Sequence, residues 1–288
     1  MALKFGRVAV TGAGGMLGID MVKALEPHAE QVLAWDRAAL DVTDLDAVLA
    51  MFGETRPEAV VHAAAYTKVD QAEAEPELAF KVNATGTRNV ALAANKNGAK
   101  MAYVSTDYVF PGMGEKPYYE YQETRPINVY GQSKRAGEWL AAGLLSKLFI
   151  IRTSWLYGEN GSNFVKTMLK LAEKGDPIRV VGDQIGSPTY TVDLAETIVR
   201  LLETEKYGTY HVSNSGSCSW FEFAEKIFEL TGLAVDLSAV TSDQFKRPAP
   251  RPAYSVLDHS ELISNGFPPM RAWEAALKEF LARLPLRG

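Results

Sequence analysis

Tyr130 and Lys134 stand four residues apart in Pro126-Ile-Asn-Val-Tyr-Gly-Gln-Ser-Lys134. On a helix, positions i and i+4 share one face, so this spacing projects a phenol and an ammonium into the same small volume. A neighbouring positive charge favours the charged form of an acid, so Lys134 is expected to lower the pKa of Tyr130. A phenol tuned toward neutrality donates a proton to a carbonyl oxygen or takes one from an alcohol. Taken alone, the pair also fits an ordinary exposed helical contact.

Val8-Ala-Val-Thr-Gly12-Ala-Gly-Gly15-Met-Leu-Gly18 follows an apolar run and opens a helical pattern. Its glycines permit a tight turn and let a pyrophosphate approach the helix N-terminus through Gly12, Gly15, Met16, Leu17 and Gly18. The more usual G-x-G-x-x-G spacing would need glycine where Leu17 stands, so this is a different subtype of dinucleotide loop. Asp36 ends the next apolar run, where a carboxylate accepts hydrogen bonds from the ribose hydroxyls of NAD, while Arg37 beside it could pair with the 2′-phosphate of NADP. Asp41 and Val42 could close the loop at the adenine, although Asp41 also reads as a plain carboxylate leading a helix. Small residues at Ala63, Ala64 and Ala65, followed by Tyr66, let a flat cofactor lie against a strand end.

Thr106 ends a further apolar run, 24 residues before Tyr130. In a doubly wound fold the carboxyl ends of the strands line the ligand crevice. A hydroxyl there can hold a carbonyl and share its developing charge with Tyr130. Thr106, Tyr130 and Lys134 thus read as orienter, acid and pKa modifier, with Lys134 also able to hold the nicotinamide ribose.

These groups need elements to carry them. Arg7–Thr11, Gln31–Trp35, Ala59–Ala63, Met101–Ser105 and Leu148–Thr153 read as buried strands. Met16–Leu25, Asp44–Phe52, Pro76–Asn97 and Val129–Leu144 read as the helices between them. This alternation predicts an α/β, Rossmann-like doubly wound parallel sheet. Beyond Trp155 the rhythm loosens into a smaller, partly interleaved substrate-binding lobe. There Phe164–Glu173, Val192–Glu203, Trp220–Leu230 and Arg271–Arg283 read as helices, and Ile178–Val181 and Gly208–Val212 as strands. Residues 1–155 with about 183–204 are assigned to the dinucleotide-binding domain, and about 156–182 with 205–288 to the substrate lobe.

The 288 residues are 47% hydrophobic and 23% charged, with a net charge of −5, which gives no basic footprint for nucleic acid. The lone cysteine, Cys218, excludes an internal disulfide and fits a reducing compartment. The four histidines are scattered without metal-ligand spacing, and His62 reads as structural. No signal-peptide pattern or long apolar run stands in the sequence, so a cytoplasmic protein without a membrane span is expected.

With these motifs in order, the chain resembles the extended short-chain dehydrogenase/reductase family over essentially its whole length. Ser105–Gly112, Arg152-Thr-Ser-Trp155-Leu-Tyr-Gly158, Asn163–Met168, Asp183–Thr189, Tyr210–Asn214 with Cys218-Ser-Trp220, and Arg251–Leu257 narrow this to the dTDP-4-dehydrorhamnose reductases. The resemblance implies hydride transfer from NADPH or NADH to C4 of a nucleotide-linked 4-keto sugar, with Tyr130 protonating the oxygen and Thr106 orienting it. It implies Asp107 and Trp155 in the sugar site, and Tyr108 as a modulator of local acidity. Asn163, Arg247 and Arg251 are candidates for the nucleotide diphosphate; for the arginines this rests on charge and a stiff proline-rich segment, and a solvated face is the equal alternative. Some members of the family pair as homodimers through a magnesium-linked acidic interface. Asp20 and Asp193 fall at compatible positions, although the sequence itself displays no metal site.

A sugar-nucleotide dehydratase would want a second carboxylate after Asp107, where Tyr108 stands. An epimerase would want a further acid/base pair, for which only His211 and Cys218 offer themselves. A cofactor-binding regulatory subunit is the alternative outside catalysis, since fold alone does not fix function.

Overall fold

The computed structural model describes residues 3–284. The chain begins with β1 (Phe5–Thr11), α1 (Met16–Leu25), β2 (Ala29–Trp35), α2 (Leu45–Thr55) and β3 (Ala59–His62). Next come α3 (Val69–Ala74), α4 (Pro76–Phe80), a π-helical turn (Lys81–Gly86), α5 (Thr87–Asn97) and β4 (Lys100–Thr106). A 3₁₀ turn at Asp107–Val109 leads through a long loop to α6 (Val129–Ala142) and β5 (Leu148–Thr153). The later part holds β6 (Leu156–Tyr157), α7 (Phe164–Ala172), β7 (Ile178–Val181), β8 (Ile185–Gly186), β9 (Thr189–Tyr190) and α8 (Thr191–Leu202). It continues with β10 (Gly208–His211), β11 (Cys218–Ser219), α9 (Trp220–Thr231), β12 (Leu237–Val240), α10 (Ser260–Ser264) and α11 (Trp273–Arg283).

Six strands form one parallel sheet in the order β10-β5-β4-β3-β1-β2. Chain direction across the sheet reverses between β1 and β3, and in doubly wound folds the crevice at such a reversal binds the ligand. Alternate strand residues explain the two cores. Val8, Val10 and Val61 face α1 and α8, where Leu17, Met21, Leu194 and Ile198 pack against them. Ala9, Val60, Met101 and Tyr103 face the other way, toward α2, α5 and α6. A sheet covered on both faces has no polar side to show, which is why the strands read as continuous apolar runs.

A third core gathers Tyr157, Val165, Tyr190, Phe223, Ile227, Trp273 and Phe280 from the smaller lobe. The short pairs β6 with β9, β7 with β12 and β8 with β11 hold that lobe together. Gly208–His211, expected in this lobe, is instead the edge strand of the main sheet, bonded to β5. The chain therefore returns to the first sheet once more before ending in the lobe.

The span Pro76–Asn97, expected as one helix, is interrupted by the π-helical turn at Lys81–Gly86. The wider turn carries the buried Asn83, whose amide accepts from the Tyr66 N–H at 2.7 Å and donates to the Tyr66 carbonyl at 3.1 Å. A second amide hydrogen bond reaches Ser133 Oγ at 2.9 Å. Asn83 thereby ties the segment after β3 to helix α6. The two-residue strands of the lobe left no readable pattern, because two residues cannot display a period. No helix is long and apolar enough to cross a membrane among the described residues.

Candidate active site

A cavity of about 1100 Å³ opens along the carboxyl ends of the sheet strands. One end is walled by Gly12, Gly15, Met16, Leu17 and Gly18. Gly12 adopts φ +70°, and a Cβ on it would stand 2.7 Å from the Ala64 nitrogen. A Cβ at Gly18 would stand 2.1 Å from the Gly12 carbonyl oxygen. Strand, turn and helix are thus drawn to a closeness that only hydrogen side chains permit. Helix α1 starts at Gly15 without a side-chain cap, so its first-turn N–H groups have no local acceptor. These features suit a diphosphate, which needs close backbone approach and N–H donors.

Asp36, Arg37, Asp41 and Val42 line the cavity beyond this loop. Asp36 Oδ1 accepts from the N–H groups of Ala38 and Ala39 at 2.9 and 2.8 Å, which fixes the carboxylate at the tip of β2. The N–H and hydroxyl of Thr43 hold the Asp41 carboxyl below its ordinary range. Ala63, Ala64, Ala65 and Tyr66 form the floor after β3. Tyr66 donates its hydroxyl to Glu75 at 2.7 Å.

At the other end Thr106, Asp107, Tyr108, Tyr130, Lys134 and Trp155 border the same space. Asn128 starts α6 by accepting from the Gly131 N–H at 2.8 Å, which sets the turn that presents Tyr130. Thr106 donates its hydroxyl to Asp107 Oδ1 at 3.0 Å. The Tyr108 ring meets Tyr130 edge to face at 5.9 Å. Lys134, only 2% exposed, donates to the Val104 carbonyl at 2.7 Å and lies over the Tyr103 ring at 4.2 Å.

The expected lowering of Tyr130 by Lys134 is not what the site does. Burial pushes the Tyr130 phenol up to about 12, opposed only by the Thr106 hydroxyl. Burial brings Lys134 down to about 7, against the opposing charge of Glu138. Burial also raises Asp107 to about 6, with Ser255 and Thr106 hydroxyls working against it. Its Oδ2 is buried without a hydrogen-bond partner. Desolvation outweighs the opposing hydrogen bonds at Tyr130 and Asp107 and the opposing charge of Glu138 at Lys134.

Trp155 adopts φ +46°, rare for a side chain of this size. Its indole stacks on Trp220 at 3.5 Å and 8°, and Gly186 leaves room for it, since a Cβ there would come within 2.5 Å of the ring. Trp220, quoted from sequence only as part of a motif and given no role in the site, lines the cavity as well. The two indoles come together across 65 residues of chain, so no local spacing announces them.

Three residues expected at the nucleotide diphosphate, Asn163, Arg251 and Arg247, stand outside the lining of this cavity and have partners within the chain. Asn163 caps α7, accepting from the Lys166 N–H at 3.1 Å and donating to the Gly158 carbonyl at 2.8 Å. An asparagine just ahead of an apolar helical run is a cap signature, and that reading accounts for it. Arg251 is paired with Asp70 at 2.8 Å and donates to the Ala249 carbonyl, outside the cavity lining. Arg247 is exposed and lies over the Phe245 ring. The acids considered for a metal-linked interface are engaged within the chain. Asp20 is buried and accepts from Thr191, and Asp193 is held by Arg271 and Asn214.

Among the described residues, Asp107 is the only carboxylate lining the Tyr130 end. His211 packs instead beside Arg152, and Cys218 belongs to the core of the smaller lobe. Neither of the two groups considered for an extra acid/base pair lines this wall among the described residues. His62, read as structural, bonds Thr11 and Thr87 inside the protein, and burial lowers it to about 3.

The model of the RmlD substrate binding domain family matches residues 6–285. The spore coat polysaccharide biosynthesis protein SpsK of Bacillus subtilis (strain 168) is 46% identical over 275 residues, covering 96% of each chain. A dTDP-4-dehydrorhamnose reductase of Streptomyces griseus is 44% identical, over 95% of this chain and 92% of its own length. Among solved structures, the dTDP-4-dehydrorhamnose reductase of Bacillus anthracis str. Ames in complex with NADP superposes with a TM-score of 0.95. It is 49% identical and covers 97% of this chain and 99% of that one.

Proposed function

Because the chain belongs to the RmlD substrate binding domain family, we propose that it reduces the C4 keto group of dTDP-4-dehydro-6-deoxy-L-mannose with NADPH or NADH, giving dTDP-L-rhamnose. The observation that carries this reading is the convergence of Thr106, Tyr130 and Lys134 on a cavity whose far end is a glycine cradle. The relatives support it, being named for this reaction in Streptomyces griseus and for binding NADP in the Bacillus anthracis structure.

A nicotinamide cofactor, when bound, supplies the hydride. The chain's own residues do the rest. Gly12 to Gly18 receive the pyrophosphate, Asp36 and Arg37 the adenosine ribose, and Ala63 to Tyr66 the face of the cofactor. Lys134 holds the nicotinamide ribose. Thr106 and Tyr130 receive the C4 oxygen, and Tyr130 donates a proton to it as negative charge develops. A phenol that keeps its proton to about 12 is in the donating form at every pH near neutrality. Asp107 and the Trp155 indole contact the sugar, while Tyr108 buttresses the Tyr130 ring.

The test is direct. Purified protein is mixed with dTDP-4-keto-L-rhamnose and either NADPH or NADH, and the dihydronicotinamide absorbance is followed. The product is identified by mass spectrometry and NMR. Folded protein that consumes neither cofactor would sink the reductase reading and favour a binding role. The ratio of the two rates resolves the opposed signals of Asp36 and Arg37.

A further inference from the structure

Behind the active site lies a buried ion pair that the reaction as described does not use. Arg152 on β5 grips Glu138 on α6 with two hydrogen bonds, Nε to Oε1 at 3.0 Å and Nη2 to Oε2 at 2.8 Å. Both residues are nearly inaccessible, at 6% and 4% exposure. Glu138 Oε1 also accepts the Ser105 hydroxyl at 2.5 Å. Arg152 spends its remaining donor on the Glu120 carbonyl at 3.1 Å and lies 3.4 Å from His211 Nε2. The carboxylate has no free oxygen, and Arg152 has every nitrogen engaged.

The place of this pair matters more than its bonds. Ser105 immediately precedes Thr106, the residue at the tip of β4. Glu138 stands four residues after Lys134 on the same helix face, one turn further from the cavity. Lys134 itself is anchored to Val104, two residues before Thr106. The Glu138 carboxylate is thus joined to the Thr106 strand end through Ser105 and to the Lys134 turn through the helix. A buried ion pair is a poor device for stability alone, since apolar packing of equal volume often does as well. It does fix charge and register at one point.

We propose that Glu138 is a positioning residue for the reduction, holding the Thr106 strand end through Ser105 and sustaining the charge on Lys134 from one helical turn below. This rests on the reductase reading for its consequence in turnover, but the charge on Lys134 is measurable without any substrate. Tyr103 from β4 lies under the Lys134 ammonium, Glu138 stands one turn along its own helix, His62 from β3 feels its charge, and Tyr130, Asp107 and Tyr108 line the same cavity. Of these, Glu138 and Asp107 are carboxylates, and Asp107 carries its charge only above about 6. Glu138, gripped by Arg152, opposes the effect of burial on Lys134.

The experiment follows the Lys134 side-chain resonance in lysine-labelled protein, assigned by its loss in Lys134→Met, as pH is raised. In wild type the midpoint is expected near 7. In Glu138→Gln, which keeps the shape and an acceptor for Ser105 but drops the charge, the midpoint should fall by about one unit, a tenfold change in ionisation. Glu138→Asp should return it toward wild type. Where Glu138→Gln does not fold, because Arg152 is left buried and unpaired, Glu138→Gln with Arg152→Gln removes both charges and gives the same reading with a smaller shift. Turnover measured alongside should lose its alkaline limb at correspondingly lower pH, with cofactor affinity below that limb unchanged. A midpoint that does not move in a folded variant overturns the proposal, whatever happens to thermal stability. A moved midpoint in a protein without reductase activity would instead overturn the reductase reading and leave the electrostatic link standing.

Discussion

Replacing Asp107 by asparagine should stabilise the protein at neutral pH while impairing it as an enzyme. The carboxyl is 2% exposed, and its Oδ2 has no partner. Burial raises it from 3.8 to about 6. The folded form therefore holds its proton over a pH range in which the unfolded chain has lost it, and stability falls as pH rises between those values. Relative to a side chain that never ionises, the penalty is absent well below 3.8 and complete above about 6. At about pH 7 the gap of roughly two units corresponds to about 3 kcal/mol, and at about pH 4.5 to roughly 1 kcal/mol. Asparagine never pays this term, but its amide loses something in hydrogen bonding to Thr106 that does not vary with pH. The informative quantity is the difference: the variant should gain about 2 kcal/mol on wild type between those two pH values. Urea unfolding at both, without cofactor, measures it. A stability difference that is flat with pH would refute the claim that Asp107 is forced to ionise at a cost. Turnover should fall at the same time, because the group lies beside Thr106 at the reacting end.

Tyr130→Phe keeps the ring against Tyr108 but removes the proton, so kcat should drop by about 10²–10⁴-fold with cofactor affinity nearly unchanged; a kcat within a few-fold of wild type would contradict its role as acid. Gly18→Ala sets a Cβ 2.1 Å from a backbone oxygen and should weaken NADPH binding more than tenfold in a fluorescence titration, whereas Gly53→Ala, with nothing within 4 Å, should stabilise α2 by about 0.5–1 kcal/mol. Lys100 donates to the carbonyls of Leu202 and Thr204 at 3.0 Å each, closing the C-terminus of α8, so Lys100→Met should cost about 1–2 kcal/mol and lower Tm by a few degrees at unchanged kcat. An unshifted melting curve would mean that water replaces the ammonium there without loss.

What could be read from the sequence was what a short stretch of chain must satisfy by itself. The glycines of the first turn are demanded by backbone approach, and the helix that carries Tyr130 and Lys134 by its spacing and by the Asn128 cap. The parallel sheet followed from apolar runs alternating with helical ones. What the sequence could not display are pairings whose partners lie far along the chain. Trp220 finds Trp155, Arg251 finds Asp70 from 181 residues away, and Gly208–His211 returns to a sheet left long before. Asn163 has a local duty instead: its amide caps α7 and bonds the Gly158 carbonyl.

The Tyr130–Lys134 spacing illustrates the limit most sharply. Four residues on a helix establish that two groups share a face, and say nothing of the medium between them. In water an ammonium beside a phenol would lower its pKa; here both are desolvated, and each is driven toward its neutral form, the phenol to about 12 and the amine to about 7. Asp107 is driven the same way. A dry site with no compensating charge would hold a neutral lysine, unable to favour negative charge on a carbonyl oxygen. The Glu138–Arg152 pair, placed outside the cavity and satisfied on every atom, supplies an anion that substrate cannot neutralise or displace. Arg152 in turn compensates that buried carboxylate with two hydrogen bonds. Charge at the reacting end thus depends on a pair that never touches the ligand, which explains why a fold would tolerate two full charges between its central sheet and the helix that carries the acid.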